Sequence, residues 1–190
     1  GGIHANNTYP AEFIYQNLQI QNNIIHAAHI NDVQQLLFLG SSCIYPKESK
    51  QPISETALLK SALEKTNEGY ALAKIAGLKL CSYLFKEHKK DFITVMPTNL
   101  YGPDDNFDLQ TSHVLAALVH KVVSAKLKKK SNVEIWGTGK PRREFLYVKD
   151  LADAVCFLAK NYSNENPINV GTSKDISIKE LANIIAETVG

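Results

Sequence analysis

A tyrosine and a lysine four residues apart, Tyr70 and Lys74, lie in a stretch that reads as one helix. That spacing puts both side chains on one face. A phenol ordinarily keeps its proton to pH about 10. A cation one turn away favours the ionised form, so the pair predicts an acid/base group usable near neutrality. Upstream, Ser41, Ser42 and Cys43 follow a short apolar run. A hydroxyl from Ser41 could hold a carbonyl oxygen beside the phenol. These residue types predict machinery for moving a hydride and a proton on and off a carbonyl. Taken alone, a YxxxK pair has a plainer reading as two exposed residues on a solvated helix.

The elements that must position these groups alternate. Pro10 suits the first turn of a helix, and a long helical pattern runs over residues 11–30. Leu36-Leu37-Phe38-Leu39 then reads as a buried strand ending at Gly40. A loop over 44–67 leads into a helix over 68–88, a strand over 92–96 ended by Pro97, and a long loop with Asn99, Gly102 and Pro103. The pattern predicts a helix over 112–126, a strand at Val133–Trp136, an extended run over 144–148, a helix capped by Asp150, a strand at 168–170 and a final helix. Ser177 and Glu180 have capping-box spacing ahead of that helix. Strands alternating with helices predict an α/β fold with a mainly parallel sheet. Ligands of such sheets gather at the carboxyl ends of the strands, where Ser41–Cys43 and Pro97–Leu100 both fall.

Composition narrows the class. The apolar fraction is 44%, the charged fraction 21% and the net charge +2, which fits a globular protein and gives no reason to expect nucleic-acid binding. The basic run Lys126–Lys130 reads as a solvated turn. Three cysteines without paired spacing, Cys43, Cys81 and Cys156, predict a reducing, cytoplasmic setting and neither disulfide nor zinc framework. No histidine spacing demands a metal, and none is expected. No apolar stretch reaches the ~20 residues of a membrane span, so no membrane partner is expected. The chain opens Gly1-Gly2-Ile3-His4 without Met and closes on a helix pattern at Thr188-Val189-Gly190, which predicts a fragment cut at both ends.

Three segments carry a resemblance: Gly40-Ser41-Ser42-Cys43-Ile44-Tyr45-Pro46, Tyr70-Ala71-Leu72-Ala73-Lys74, and Met96-Pro97-Thr98-Asn99-Leu100-Tyr101-Gly102-Pro103. They resemble the extended short-chain dehydrogenase/reductases acting on nucleotide sugars. Within that group Cys43 after the serine pair, Asn6–Pro10, Asp105–Phe107 with Ser112-His113, Trp136-Gly137 and Arg143–Leu146 are similar to the GDP-L-fucose synthase family. The resemblance implies a partial Rossmann-like domain over 1–130 and a smaller, mainly substrate-binding portion over 131–190, interleaved with the sheet.

It also implies a reaction: NADPH-dependent conversion of GDP-4-keto-6-deoxy-D-mannose to GDP-L-fucose, by C3/C5 epimerisation and C4 reduction. Tyr70 would protonate the C4 oxygen, Lys74 would lower the Tyr70 pKa and bind the nicotinamide ribose, and Ser41 would hydrogen-bond the C4 keto oxygen. Cys43 and His113 would be the acid/base pair that epimerises C3 and C5. The chemistry is sound, because a C4 ketone acidifies both flanking C–H bonds and thiol and imidazole titrate near neutrality. Leu39, Gly40, Ser41, Ser42, Pro97, Thr98, Asn99, Leu100 and His113 would line the cofactor with Tyr70 and Lys74. Lys121, Trp136 and Arg143 would contact the GDP-sugar; Lys121 stands where the family usually has Arg, keeping charge and losing the bidentate fork. A homodimer through a four-helix bundle of the two long helices is implied as well.

Residue type alone leaves other readings open. Cys43 is then a small buried hydrophobe, His113 a solvated helix N-terminal residue, Trp136 a core side chain and Arg143 half of a surface ion pair. Another nucleotide-sugar epimerase or dehydratase, or a non-catalytic fragment of this fold, are the alternatives. The Gly-rich turn that cradles a dinucleotide pyrophosphate is absent, and Gly1-Gly2 are not such a motif.

Overall fold

A computed structural model describes residues 3–190, and Gly1-Gly2 lie outside the described residues. The elements run α1 (Ile3–Thr8), α2 (Pro10–Ile30), β1 (Gln35–Leu39), α3 (Glu68–His88), β2 (Asp91–Pro97), β3 (Asn99–Tyr101), α4 (Val114–Leu127), β4 (Arg142–Tyr147), α5 (Val148–Asn161), β5 (Ile168–Val170), β6 (Asp175–Ser177) and α6 (Ile178–Val189). One sheet has the order β1-β2-β5, all parallel, with Leu36 opposite Phe92 and Met96 opposite Asn169. A second has the order β3-β4-β6, parallel then antiparallel. The α/β architecture expected from the alternation is therefore present.

Strand β2 is buried along nearly its whole length because both faces are covered. Phe92 points toward Ile25 and Ala28 of α2 and Cys81 and Leu84 of α3. Ile93 and Val95, one residue out of phase, meet Leu158 of α5. Helix α2 begins with Pro10 in its first turn, where the missing N–H costs nothing, and buries Gln21, Ile25 and Ala28 along one stripe. A separate core joins α4 and α6 through Leu118, Val122, Leu181 and Ile185. No helix among the described residues is long and apolar enough to cross a membrane.

Three expectations are corrected. Val133–Trp136 is extended but belongs to no strand: Val133 and Ile135 lean on the α4–α6 core while Glu134 and Trp136 face out. The alternation was real, but no neighbouring backbone pairs with it. Strands β3 and β6 fall where loop was expected; each has three residues and exists only by pairing with β4. Helix α1, also unexpected, precedes Pro10.

Candidate active site

The site starts where β1 ends. Gly40 donates to Val95 O at 2.9 Å, keeping the chain against β2 as it leaves the sheet. A Cβ at Gly40 would lie 2.5 Å from Met96 Sδ, so a larger residue there would force the buried Met96 side chain to shift. Residues Ser42–Ile44 then form one 3₁₀ turn capped by Ser41, whose Oγ accepts from Cys43 N at 3.4 Å. Ser41 Oγ and Cys43 Sγ share a hydrogen bond at 3.0 Å.

Helix α3 faces this turn with Tyr70 and Lys74. Its Ala71, Ile75 and Leu78 pack with Ile44, Tyr45 and Met96, which turns the Tyr70–Lys74 edge toward the strand ends. Lys74 Nζ donates to Leu39 O at 2.9 Å and sits 4.9 Å from the Phe38 ring centre and 5.8 Å from that of Tyr70. Burial pushes the Tyr70 phenol above its ordinary value, Cys43 pushes it further, and a hydrogen bond from Ser41 offsets part of the rise. Burial pulls the Lys74 ammonium down and Cys43 counters it. The expected net depression of the phenol by Lys74 is thus not found in this geometry. The ammonium is engaged by the Leu39 carbonyl, and desolvation of the phenol outweighs a cation beyond its ring.

Pro97–Leu100 complete the strand-end edge. Thr98 Oγ1 is buried with no partner among the described residues, and Asn99 Nδ2 donates to Glu144 O at 3.0 Å. The orphaned Thr98 hydroxyl, the Tyr70 phenol and the Lys74 ammonium suit the ribose and amide of a nicotinamide riboside, a neutral, hydroxyl-rich group. For the pyrophosphate and adenine end the described residues offer no Gly-rich turn entering a helix.

The remaining candidates stand apart. His113 is exposed at the N-terminus of α4 and makes no capping hydrogen bond, so its contacts do not join it to Cys43. Trp136 is 71% exposed, which excludes the core-packing alternative. Lys121 Nζ lies 4.6 Å from its ring centre and donates to Glu134 O at 3.1 Å. Arg142, not Arg143, makes the ion pairs of β4, with Asp175 at 3.0 Å and Glu180 at 3.5 Å. Arg143 faces solvent and donates to Arg142 O at 2.7 Å; among the described residues it has no carboxylate partner. Missing from the sequence reading is Asn169, which joins the 44–67 loop to β5; its partners lie more than a hundred positions away, so no local signal marks it.

Residues 1–171 match the NAD dependent epimerase/dehydratase family. The chain is 56% identical over 190 residues to GDP-L-fucose synthase 1 of Arabidopsis thaliana, covering all of this chain and 59% of that protein. It is 55% identical over 199 residues to a GDP-L-fucose synthase of Escherichia coli (strain K12), covering all of this chain and 62% of that one. Among solved structures, a GDP-mannoheptose C4 reductase from Campylobacter jejuni with NADP bound superposes with a TM-score of 0.88 at 38% identity, over all of this chain and 66% of that one. The chain thus spans about three fifths of the length of the curated relatives it matches.

Proposed function

The chain belongs to the NAD dependent epimerase/dehydratase family, and on that premise we propose that the full-length protein is a cytoplasmic enzyme converting GDP-4-keto-6-deoxy-D-mannose to GDP-L-fucose with NADPH. The carrying observation is the contiguity of Ser41, Cys43, Tyr70 and Lys74, with thiol, hydroxyl and phenol coupled at one strand-end edge. The likeness to two GDP-L-fucose synthases and to an NADP-bound GDP-sugar reductase supports the choice of substrate and cofactor.

NADPH, when bound, supplies the hydride for C4. Ser41 holds the C4 oxygen by a hydrogen bond. Tyr70 gives that oxygen its proton, and its raised pKa keeps the donor protonated throughout the neutral range. Lys74, fixed on Leu39 O, holds the ribose hydroxyls, and solvent restores the proton to Tyr70. Cys43 takes or gives the protons at C3 and C5, with His113 as its counterpart. Trp136, Lys121 and Arg143 take the nucleotide, Arg143 through the pyrophosphate. Residues 1–130 then carry cofactor and catalysis and 131–190 mainly substrate.

A homodimer goes with this reading. Helices α2 and α3 leave Tyr15, Ile20, Ile24, Leu72 and Tyr83 exposed, apolar surface that a four-helix bundle would cover. The test of the function is turnover by the full-length protein. GDP-fucose formation with one NADPH oxidised per product is expected. No NADPH oxidation, or a product unchanged at C3 and C5, would overturn the proposal.

A further inference from the structure

Three hydrogen bonds of the loop over 44–67 converge on one residue of an edge strand. Tyr45, 5% exposed, donates its hydroxyl proton to Asn169 Oδ1 at 2.6 Å. The other end of that amide, Nδ2, donates to Ile53 O at 3.0 Å, and Asn169 N donates to Glu55 Oε1 at 2.9 Å. Two loop carbonyl or carboxylate oxygens and one hydroxyl therefore converge on Asn169, which lies opposite Met96 in register. We infer that Tyr45, Glu55 and Asn169 form a clamp that sets the orientation of the Ser41–Cys43 turn for proton transfer; the inference rests on the reaction proposed above.

The turn needs such a device. Gly40 N to Val95 O anchors its entry, but its internal bonds, Ile44 N to Ser41 O at 3.2 Å and Tyr45 N to Ser42 O at 3.3 Å, lie within five residues and do not by themselves fix its exit against the sheet. Packing of Ile44 and Tyr45 in the core fixes how deep the turn sits, but apolar burial has no direction. A hydrogen bond has direction, and the Tyr45 hydroxyl lies two residues from the Cys43 thiol in sequence. The three bonds also fix the amide: Oδ1 must face Tyr45 because Nδ2 is used on Ile53 O. Burial and the nearby Glu55 carboxylate push the Tyr45 phenol up to about 12, so it remains a donor at every working pH. The clamp connects the segment that leaves the catalytic turn to β5.

The experiment compares the full-length protein with its Tyr45→Phe, Glu55→Ala and Glu55→Gln variants. Deuterium uptake at C3 and C5 from D2O, KM for NADPH, melting temperature, and the rate of iodoacetamide alkylation at Cys43 are measured, the last by peptide mass spectrometry with exposed Cys156 as internal reference. Tyr45→Phe and Glu55→Ala are expected to slow exchange about tenfold or more, because displacements of the order of an ångström carry such costs. KM for NADPH stays within twofold, and Cys43 alkylation changes severalfold while Cys156 does not. Glu55→Gln, which keeps the acceptor oxygen, behaves as wild type. Exchange and alkylation unchanged in Tyr45→Phe would overturn the clamp. So would exchange, NADPH affinity and melting temperature all falling in parallel, the mark of a purely structural bond. A wild-type protein that takes up no deuterium refutes the proposed reaction instead, and the Cys43 alkylation comparison then decides the clamp by itself.

Discussion

Two regions of this molecule treat their polar groups differently. Around the ends of β1 and β2, Ser41, Cys43, Tyr70 and Lys74 are half-buried, touch one another or the adjoining backbone, and stand on a core that includes fully buried Ile44, Ala71 and Met96. Along α4 and the segment leading through β4, His113, Trp136 and Arg143 are exposed; Trp136 meets the Lys121 ammonium of α4, and Arg143 donates to the Arg142 carbonyl. The first region is finished before any ligand arrives. The second offers an indole face, a cation and a guanidinium with no carboxylate partner among the described residues. Chemistry that must hold atoms to fractions of an ångström is built on rigid elements, and recognition of a large charged substrate is left to side chains free to close on it.

Substitutions in the two regions should therefore differ in kind. Cys43→Ser is expected to reduce C3/C5 deuterium exchange by about 10²–10⁴-fold, the range for losing a positioned acid/base, with stability nearly unchanged. Exchange at the wild-type rate would remove the thiol from the mechanism. Lys74→Met should raise KM for NADPH and lower the reduction rate, together about 10–100-fold, with melting temperature little affected because the ammonium is desolvated and held by one carbonyl. Loss of folding instead would make Lys74 a scaffold residue and blur the contrast. Arg143→Ala should raise KM for the GDP-sugar about tenfold and leave kcat within twofold, as expected when a charge-assisted contact present in ground and transition state alike is lost. A fall in kcat alone would put Arg143 with the first group. The smallest effect concerns pH. Because the Tyr70 phenol is raised, its proton is present below its ordinary value and is lost only above it. The reduction rate should then show no alkaline fall from this group below about pH 9. A fall centred near neutrality would mean that bound ligands reverse the effect of burial.

How much of this was legible in the chain depends on the distance over which each feature is decided. The Ser177–Glu180 capping box is a four-residue pattern, and both of its hydrogen bonds are present. Pro10 opens its helix for an equally local reason. The strand over 92–96 was readable as a strand and is buried along nearly its whole length, whereas Leu36–Leu39, read as a buried strand, is only half-covered in β1 and leaves Leu39 exposed. Val133–Ile135 shows the opposite case: period-two burial was readable, but whether a partner strand exists is settled by chain far away. β3 and β6 are the mirror image, three residues each, made strands only by β4. The same divide runs through the site. Tyr70 and Lys74 share a helix face by spacing alone, so their meeting at the strand ends followed. The direction of the Tyr70 shift did not, because desolvation by surrounding side chains outweighs the lysine that spacing supplied. Asn169 was invisible for the same reason, its partners being 114 to 124 positions away.

The division of labour at the first region can be read in one experiment. Full-length protein carrying Tyr70→Phe is incubated in D2O with GDP-4-keto-6-deoxymannose and NADPH, and both NADPH oxidation and deuterium at C3 and C5 are followed. Reduction should fall by about 10²–10⁴-fold while deuterium continues to enter both carbons. Simultaneous loss of oxidation and exchange in a folded variant would contradict a phenol that serves C4 and a thiol that serves its neighbours.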